Sequence, residues 1–453
     1  GGSIEGALRF VAPYTDPARK WSKPDIAPIA PEEGAISFRR AAATFPDTTF
    51  ERAANRGAKS FASPRREVLF YPGIRVAALG NLDSLASHAL SFARARLNSA
   101  ATTLAPASGY PRDTRPDGSW EQQPYTQWTS GFFPGLLWYM YALDRNAEWK
   151  SLAQRWTRGI EPASRMTNTH DLGFMVFNSF GHGFLLTRDT TYKRVVLDAS
   201  KSLVTRYNPK VGAIKSWDTE NVSDARRTWK YPVIVDNLMN LEMLFEASRW
   251  GDPEWKRIAE HHAMTSMRAH VRSDGSTAHI ALFDPATGKL EKTVTWQGYS
   301  DSSAWARGQA WALYGLTRAY AHTRDRDFLS GAERVADWFI ANAPADGVPF
   351  WDFRDPNIPF VERDASAAAI ASSGLFDLAR HVGRERGARY REVAERIIRT
   401  LASSYLTEGT QQASILQHSV GNKPANSEVD VGIVYADYFF VEALLRRREL
   451  FLE

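Results

Sequence analysis

Residues 304–342, AWARGQAWALYGLTRAYAHTRDRDFLSGAERVADWFIAN, contain two segments in which apolar residues recur at helical spacing. The first segment, 304–323, is more continuously apolar, whereas the second, 326–342, has an apolar face and a charged face. A helix that is apolar all round is buried, and an amphipathic helix covers a core from outside. The stretch therefore predicts one inner helix followed by one outer helix.

The same pairing recurs along the chain from Asn81 onward. Five predicted helices open with an aromatic residue that is followed four positions later by a small apolar one, which is a weak internal repeat. These pairs are Trp149/Ala153, Tyr192/Val196, Trp255/Ala259, Phe328/Ala332 and Tyr390/Ala394. These pairs lie at the start of the third, fifth, seventh, ninth and eleventh predicted helices. The twelve predicted helices lie near 81–100, 130–145, 147–160, 172–187, 190–206, 233–250, 253–269, 304–323, 326–342, 364–381, 386–405 and 428–448.

The even-numbered helices share a different feature, a cluster of polar and aromatic residues at the start. These clusters are Trp128–Phe133, His170–Phe174, Val235–Asn240, Ser302–Trp311, Arg363–Ala369 and Asp430–Tyr438. Six inner helices wrapped by six outer ones would gather all the clusters at one mouth. The sequence therefore predicts an all-α fold, an (α/α)6 barrel. An open α-solenoid would show the same periodicity, but it gives no reason to collect Asp, His, Arg and Trp at one end of alternate helices.

Composition narrows the class of protein. Of 453 residues, 43% are hydrophobic and 24% are charged, as in a globular protein, and there is no apolar run long enough to span a membrane. The net charge of +5 comes from scattered Lys and Arg, so nucleic acid is not expected as a partner and acidic small ligands fit better. The absence of cysteine excludes disulfides, thiolate metal sites and a Cys nucleophile.

One domain preceded by an N-terminal extension is predicted. Residues 1–75 contain repeated X-Pro breakers and no long periodic segment, which indicates an extended N-terminal arm. Residues 76–453 form the barrel. The first residues, Gly1-Gly2-Ser3, lack the pattern of a signal peptide and fit an artefact of cloning or a mature or intracellular form, so the cytoplasm, the periplasm and secretion all stay open.

Two aspartates are the first candidates for catalysis. Asp236, in the stretch VIVDNLMN of residues 233–240, is surrounded by apolar residues that predict its burial. Burial raises the pKa of a carboxyl group into the range useful for proton transfer. Asp171 begins the fourth helix in HDLGF, and in that position a helix cap is the competing interpretation.

Arg307 and Trp311 lie one helical turn apart and therefore share one face of the eighth helix. Arginine offers two parallel donors to a carboxylate, and tryptophan offers a flat apolar face to a sugar ring. The competing interpretation makes Arg307 a clamp between inner helices, paired with an acid such as Asp364. The sequence leaves both interpretations open.

Five motifs occur together in one order: W-x-x-G-F-F from Trp128, H-D-L-G-F, D-N-L-M-N, T-W-Q-G and W-A-R-G-Q-A-W. Because it contains these five motifs in this order, the chain resembles glycoside hydrolase family 88, the unsaturated glucuronyl hydrolases. The likeness covers roughly residues 80–450, and the N-terminal arm has no counterpart. Each motif alone is weak, but the ordered set is specific.

The resemblance implies the fold, the chemistry and the site. Asp236 would be the general acid and base, and Asp171 the second essential carboxylate. The other matching positions surround the sugar: Trp128, His170, Trp217, His279, Gln297, Arg307 and Trp311. The implied partner is an unsaturated uronate-containing oligosaccharide, the implied enzyme is a monomer or homodimer, and no metal or organic cofactor is expected.

One enzyme of the same class and one different enzyme class compete with this prediction. An unsaturated rhamnogalacturonyl hydrolase uses a similar barrel and the same chemistry, and α/α-barrel polysaccharide lyases and epimerases share the architecture. The intact H-D-L-G-F and W-A-R-G-Q-A-W clusters favour the glucuronyl enzyme. A carbohydrate-binding protein would not need an acid buried in an apolar helix.

Lys423 is a further candidate binding residue. It either contacts an anionic group on the next sugar or, more simply, is a solvated loop lysine.

Overall fold

The computed structural model of the chain describes residues 81–219 and 222–452, so the predicted arm of residues 1–75 lies outside the described residues. Twelve α-helices occur in the described part. They are α1 (Leu82–Thr103), α2 (Phe132–Asp144), α3 (Ala147–Arg158), α4 (His182–Thr187), α5 (Thr190–Val204), α6 (Leu241–Ser248), α7 (Glu254–His270), α8 (Ala306–Thr323), α9 (Arg326–Asn342), α10 (Ala365–Leu378), α11 (Arg384–Ser404) and α12 (Val434–Arg447).

Short strands and other helical turns connect these helices. The strands are β1 (Tyr110–Thr114), β2 (Trp120–Gln123), β3 (Tyr207–Asn208), β4 (Ala213–Ile214), β5 (Tyr231–Ile234), β6 (Ile280–Phe283), β7 (Leu290–Val294), β8 (Ser419–Asn422) and β9 (Ser427–Val431). All their pairings are antiparallel: β1 with β2, β3 with β4, β6 between β5 and β7, and β8 with β9. A π-helix, Gly173–Gly181, precedes α4, and a 3₁₀ helix, Val235–Asn240, precedes α6.

The even-numbered helices form a closed inner ring. Successive inner elements contact one another, with the π-helix Gly173–Gly181 making the contact to α6, and α12 returns to α2. Every residue of α10 is buried, whereas α9 buries one stripe that includes Phe328, Ala332, Val335 and Phe339. Burial all round and burial on one stripe are the signatures of inner and outer helices, so the predicted (α/α)6 barrel is confirmed. Within the described ranges no helix is both long enough and apolar enough to cross a membrane.

Two predicted helices begin later than expected. The segment predicted to start a helix at residue 233 is instead the end of β5, because Val233 and Ile234 pair with Ala281 and Ile280 of β6. The β-branched side chains of this segment suit a strand. Residues 427–431 likewise pair with β8, and the last helix begins only at Val434. The first difference arises from pairing with β6, a strand far away in the sequence that local periodicity does not reveal, and the second arises from the hairpin that β9 forms with the neighbouring β8.

The end of the ring opposite the polar and aromatic clusters is filled by mutually paired charges. The Glu442 carboxylate accepts hydrogen bonds from the hydroxyls of Tyr139 at 2.6 Å and Tyr314 at 3.0 Å, and it pairs with Arg446 at 3.3 Å. Arg318 pairs there with acids of α6 and α10. Removing one partner would leave an uncompensated buried charge, which costs about 3–5 kcal/mol. These groups satisfy one another and hold inner helices together.

Candidate active site

Asp236 lies at the mouth of the ring, on the first turn after β5. Ile234 pairs with Ile280, and the next residue, Val235, donates its N–H to the His279 carbonyl at 2.9 Å. This register brings Asp236 beside His279, and the Oδ2 atom of Asp236 lies 3.9 Å from Nε2 of His279. The residue is 9% exposed. The structure thus places a nearly buried carboxyl group next to an imidazole.

The electrostatics of Asp236 favour a protonated carboxyl group near neutral pH. Burial raises its pKa from 3.8 to about 7, the positive charge of Arg307 opposes this shift, and the negative charge of Asp171 adds to it. Its Oδ2 atom makes no hydrogen bond to the described residues. The Trp311 N–H interacts with the carboxyl group and lowers its pKa, but it lies outside hydrogen-bond geometry. A buried acid with a pKa near the working pH is suited to general acid catalysis.

The ring of His279 is held in one tautomer by its neighbours. Its Nδ1 atom accepts the backbone N–H groups of Trp296 at 3.2 Å and Gln297 at 3.3 Å, so the proton of the neutral ring is assigned to Nε2. Burial lowers the pKa of His279 well below its usual value, which keeps the ring neutral. The Nε2 atom has no hydrogen-bond partner among the described residues. His279 therefore presents an N–H donor toward the side of Asp236.

A close contact between two inner elements brings Asp171 toward Asp236. A Cβ atom added at Gly173 would lie 2.6 Å from Cα of Asn240, so only glycine fits there. The Phe174 N–H also donates to Oδ1 of Asn240 at 2.8 Å. The π-helix that follows Asp171 therefore packs closely against the 3₁₀ helix that contains Asp236.

Asp171 does not cap a helix with its side chain within the described part of the chain. Its Oδ2 atom instead accepts a hydrogen bond from the Thr169 hydroxyl at 3.3 Å, and its Oδ1 atom lies 3.2 Å from Nε2 of His170. The Nδ1 atom of His170 donates to the Ser216 carbonyl at 2.7 Å, and burial lowers the pKa of His170. The carboxylate is thus held at the mouth by contacts unrelated to capping.

Arg307 is buried, with 1% of the residue exposed. Its Nη1 atom donates to the Val420 carbonyl and its Nη2 atom donates to the Gly421 carbonyl at 2.7 Å. Nη1 also lies 3.6 Å from Oδ2 of Asp364. Both Nη atoms therefore bind the hairpin of β8 and β9, which favours the clamp interpretation over a fork directed at substrate. Gln297 also binds this hairpin, because its Nε2 atom donates to the Gly421 carbonyl at 3.1 Å.

We expect Arg307→Lys to lower the melting temperature by several degrees while kcat/KM of the folded enzyme changes little. Lysine keeps the positive charge but cannot donate to both carbonyls in one plane, and a buried acceptor left without a partner costs about 1–3 kcal/mol. Thermal unfolding and steady-state kinetics on the same preparation test this expectation. An unchanged melting temperature with a large fall in kcat/KM would instead support direct contact with substrate. The exposed Arg227, changed to Lys, is the control.

Aromatic rings line the remaining wall of the mouth. Trp128 is half-buried, and its ring centroid lies 5.0 Å from Tyr435 and 5.5 Å from Phe174. Trp311 is fully buried and packs on Phe174 at 5.3 Å, so it offers its N–H edge rather than an open face. Trp217 is partly exposed, with its centroid 6.3 Å from His279. Trp128 and Trp217 are the better platforms for a sugar ring.

Sequence reasoning assigned no role to Tyr435. Its hydroxyl is buried without a hydrogen-bond partner among the described residues, and its ring lies against Trp128 and under the Arg307 guanidinium, 5.2 Å from the ring centroid. Its position in the final polar and aromatic cluster was the only available signal. Lys423 is ion-paired with Glu362, and both side chains are partly exposed.

A cavity lined by Glu442 and Arg446 extends as far as Phe174, whose ring also packs against Trp128 and Trp311. It contains neither of the candidate catalytic aspartates, and most of its charges are paired. Among the described residues no group of three His, Cys, Asp or Glu side chains is arranged to hold a metal ion.

The sequence matches no protein-family model. It is 43% identical over 336 residues to the unsaturated glucuronyl hydrolase of Formosa agariphila, and the aligned part covers 73% of this chain and 82% of that protein. This chain belongs to the unsaturated glucuronyl hydrolases, glycoside hydrolase family 88. The predicted enzyme class, a glycoside hydrolase of this family, is confirmed, and the rhamnogalacturonyl and lyase alternatives gain no support.

Solved structures of unsaturated glucuronyl hydrolases have the same fold. One, specific for heparin, is 41% identical, with a TM-score of 0.77 over 81% of this chain and 98% of that chain. Another, a variant with dGlcA-Glc-Rha-Glc, is 29% identical, with a TM-score of 0.73 over 81% of this chain and 96% of that chain. Members of this family thus accept oligosaccharides, and the fold prediction is supported beyond the sequence motifs.

Proposed function

We propose that the mouth of the ring removes 4,5-unsaturated glucuronic acid from the non-reducing end of lyase-generated oligosaccharides by hydration of the C4=C5 double bond. The main observation behind this proposal is the state of the Asp236 carboxyl group. Burial raises its pKa to about 7, and its Oδ2 atom makes no hydrogen bond to the described residues. Relatives that act on glucuronyl residues support the choice of substrate.

Asp236 donates its proton to C4 in the first step. The C4=C5 electron pair forms the new C–H bond, and the positive charge left at C5 is shared with the ring oxygen. The resulting carboxylate then takes a proton from water as the water oxygen attacks C5. One acid that returns as a base needs a pKa near the working pH, which the burial of Asp236 provides.

Hydration leaves a hemiketal at C5. This hemiketal opens to a 5-keto group and leaves a hemiacetal at C1. The hemiacetal then breaks its bond to the glycosidic oxygen, which takes the hydroxyl proton and leaves with the neighbouring sugar, and C1 becomes an aldehyde. The reaction consumes one water, and the enzyme ends with Asp236 protonated again. The carboxylates therefore do not attack the anomeric carbon, unlike those of ordinary retaining glycosidases.

His279 is the group best placed to orient an oxygen atom next to Asp236. Its Nε2–H donor lies 3.9 Å from Oδ2 of Asp236, and its other nitrogen is occupied by two backbone N–H groups. An oxygen of the attacking water or of the uronate carboxylate is the natural acceptor. Asp171, whose charge acts on Asp236, holds sugar hydroxyls, and Trp128 supports the ring.

The test is a panel of lyase-generated disaccharides from hyaluronan, chondroitin, heparin, ulvan, gellan and glucuronan, followed at the absorbance of the double bond. We expect absorbance to fall as the neighbouring sugar is released. A rise in absorbance would indicate elimination and a lyase. Binding without any absorbance change would indicate a carbohydrate-binding protein, and either result would overturn the proposal.

A further inference from the structure

A cationic side chain lies one layer outside the proposed site. Arg226 belongs to the 3₁₀ helix Ala225–Thr228, and its guanidinium lies 4.5 Å from the ring centroid of Trp296 and 5.9 Å from that of Trp217. Both tryptophans touch His279, Trp217 through its ring and Trp296 through its backbone N–H. The indoles of Trp217 and Trp296 and the His279 ring therefore separate Arg226 from the catalytic acid.

The guanidinium of Arg226 is held in a fixed plane. Its Nε atom donates to both carboxylate oxygens of Asp224, at 2.9 Å and 3.1 Å, and its Nη2 atom donates to one of them at 2.7 Å. These bonds use one edge of the guanidinium. Nη1 makes no hydrogen bond to the described residues, and 26% of the side chain is exposed. One face thus rests on indole rings, and one N–H edge stays open to a ligand.

The aromatic support under Arg226 is anchored to the sheet that positions the acid. Trp217, Trp229 and Trp296 pack on one face of the β5–β6–β7 sheet, against Ile234, Ile280, Leu282 and Val294. Trp217 and Trp229 are nearly parallel, with centroids 6.1 Å apart. All three indoles remain partly exposed, so they cover the sheet and still offer surface to a ligand.

We propose that Arg226 recognises a sulfate group on the sugar that follows the unsaturated uronate, while Trp217 supports that sugar's ring. This proposal rests on the proposed function, since it concerns the leaving sugar of that reaction. A guanidinium held flat on an indole presents its N–H groups at the edge, which is the geometry that a sulfate or carboxylate oxygen pair accepts. The Asp224 carboxylate fixes that plane, so the remaining edge is oriented before substrate binds.

The test compares two unsaturated disaccharides that differ only in a sulfate on the hexosamine. kcat/KM for both is measured in the wild type, Arg226→Gln and Arg227→Gln; Arg227 is the exposed neighbour, and its substitution makes the same change in net charge. We expect Arg226→Gln to lower the ratio of sulfated to unsulfated kcat/KM by about tenfold or more, mainly through KM, because charge-assisted bonds are the strong ones. Arg227→Gln should leave the ratio unchanged.

Three results would overturn the proposal. An unchanged ratio in Arg226→Gln would mean that the residue does not reach the sulfate. An equal loss on both substrates would mean that it only shapes the loop, and an equal effect of Arg227→Gln would mean that general charge attraction suffices.

Calorimetric binding of both disaccharides to Asp236→Asn, with and without Arg226→Gln, separates this inference from the proposed function. If the wild type hydrates neither disaccharide but sulfate-dependent binding requires Arg226, the proposed function fails and the inference stands. If neither disaccharide binds, both fail.

Discussion

Asp236→Asn is expected to lower kcat by about 10²–10⁴-fold on every unsaturated substrate, since it removes the general acid and leaves a neutral side chain of nearly the same shape. The measurement is the initial rate of absorbance loss at saturating substrate, with circular dichroism to verify the fold. A folded variant that keeps more than a tenth of the wild-type rate would show that another residue donates the proton.

Asp437→Asn is the matched control for this experiment. Burial also raises the pKa of Asp437, to about 8, but its carboxylate accepts the backbone N–H groups of Ile415 and Leu416 at 2.9 Å and 2.8 Å. It is therefore a buried acid with a structural role. We expect Asp437→Asn to lose stability and to keep the kcat of the folded enzyme.

The stability of Asp236→Asn should depend on pH in a defined direction. The folded-state pKa of Asp236 is raised from 3.8 to about 7, so its stabilising contribution is fully present below about pH 4 and is lost as pH rises through about 7. Asparagine does not ionise. The variant should therefore melt higher than the wild type at pH 8–9, and this advantage should disappear near pH 4. An advantage that does not change with pH would mean that Asp236 is not buried as an acid.

The fold could be predicted from sequence because its pattern is local. In residues 304–342 the difference between an all-round apolar helix and an amphipathic one is visible within two turns. The same contrast in successive helix pairs is enough to predict an inner and an outer ring. The burial of every residue in α10 and of one stripe in α9 agrees with this contrast.

The site could be predicted only in part, since its geometry depends on contacts between distant segments. The spacing of Arg307 and Trp311 correctly predicts one helical face, but the direction of the guanidinium depends on carbonyl groups more than 100 residues away. Asp236 was expected within a long helix and lies instead after a strand, because β5 pairs with β6. That pairing also brings His279 beside the acid, and no local pattern around His279 predicts it.

Asp171→Asn is expected to slow turnover on the order of 10²-fold, because a sugar held by one carboxylate fewer is displaced from the proton donor. The stronger evidence is the pH profile of kcat/KM, whose alkaline limb reports deprotonation of the acid in the free enzyme. The negative charge of Asp171 raises the pKa of Asp236, although burial is the larger cause. Removing that charge lowers the pKa of Asp236, so Asp236 loses its proton at lower pH. The alkaline limb should therefore move to lower pH.

The control for this prediction is Asp189→Asn, at a position where an aspartate does cap a helix by accepting the Thr191 N–H at 2.9 Å. Neither the rate nor the pH profile should change in that variant, since only the N-terminus of α5 is affected. If Asp171→Asn behaves in the same way, Asp171 has no role in the reaction. If Asp171→Asn turns over slowly but the alkaline limb of its kcat/KM profile stays at the wild-type pH, Asp171 positions the sugar while burial alone sets the pKa of Asp236. A slow variant with a shifted limb would show that the two carboxylates are coupled, as their shared position at the mouth of the ring requires.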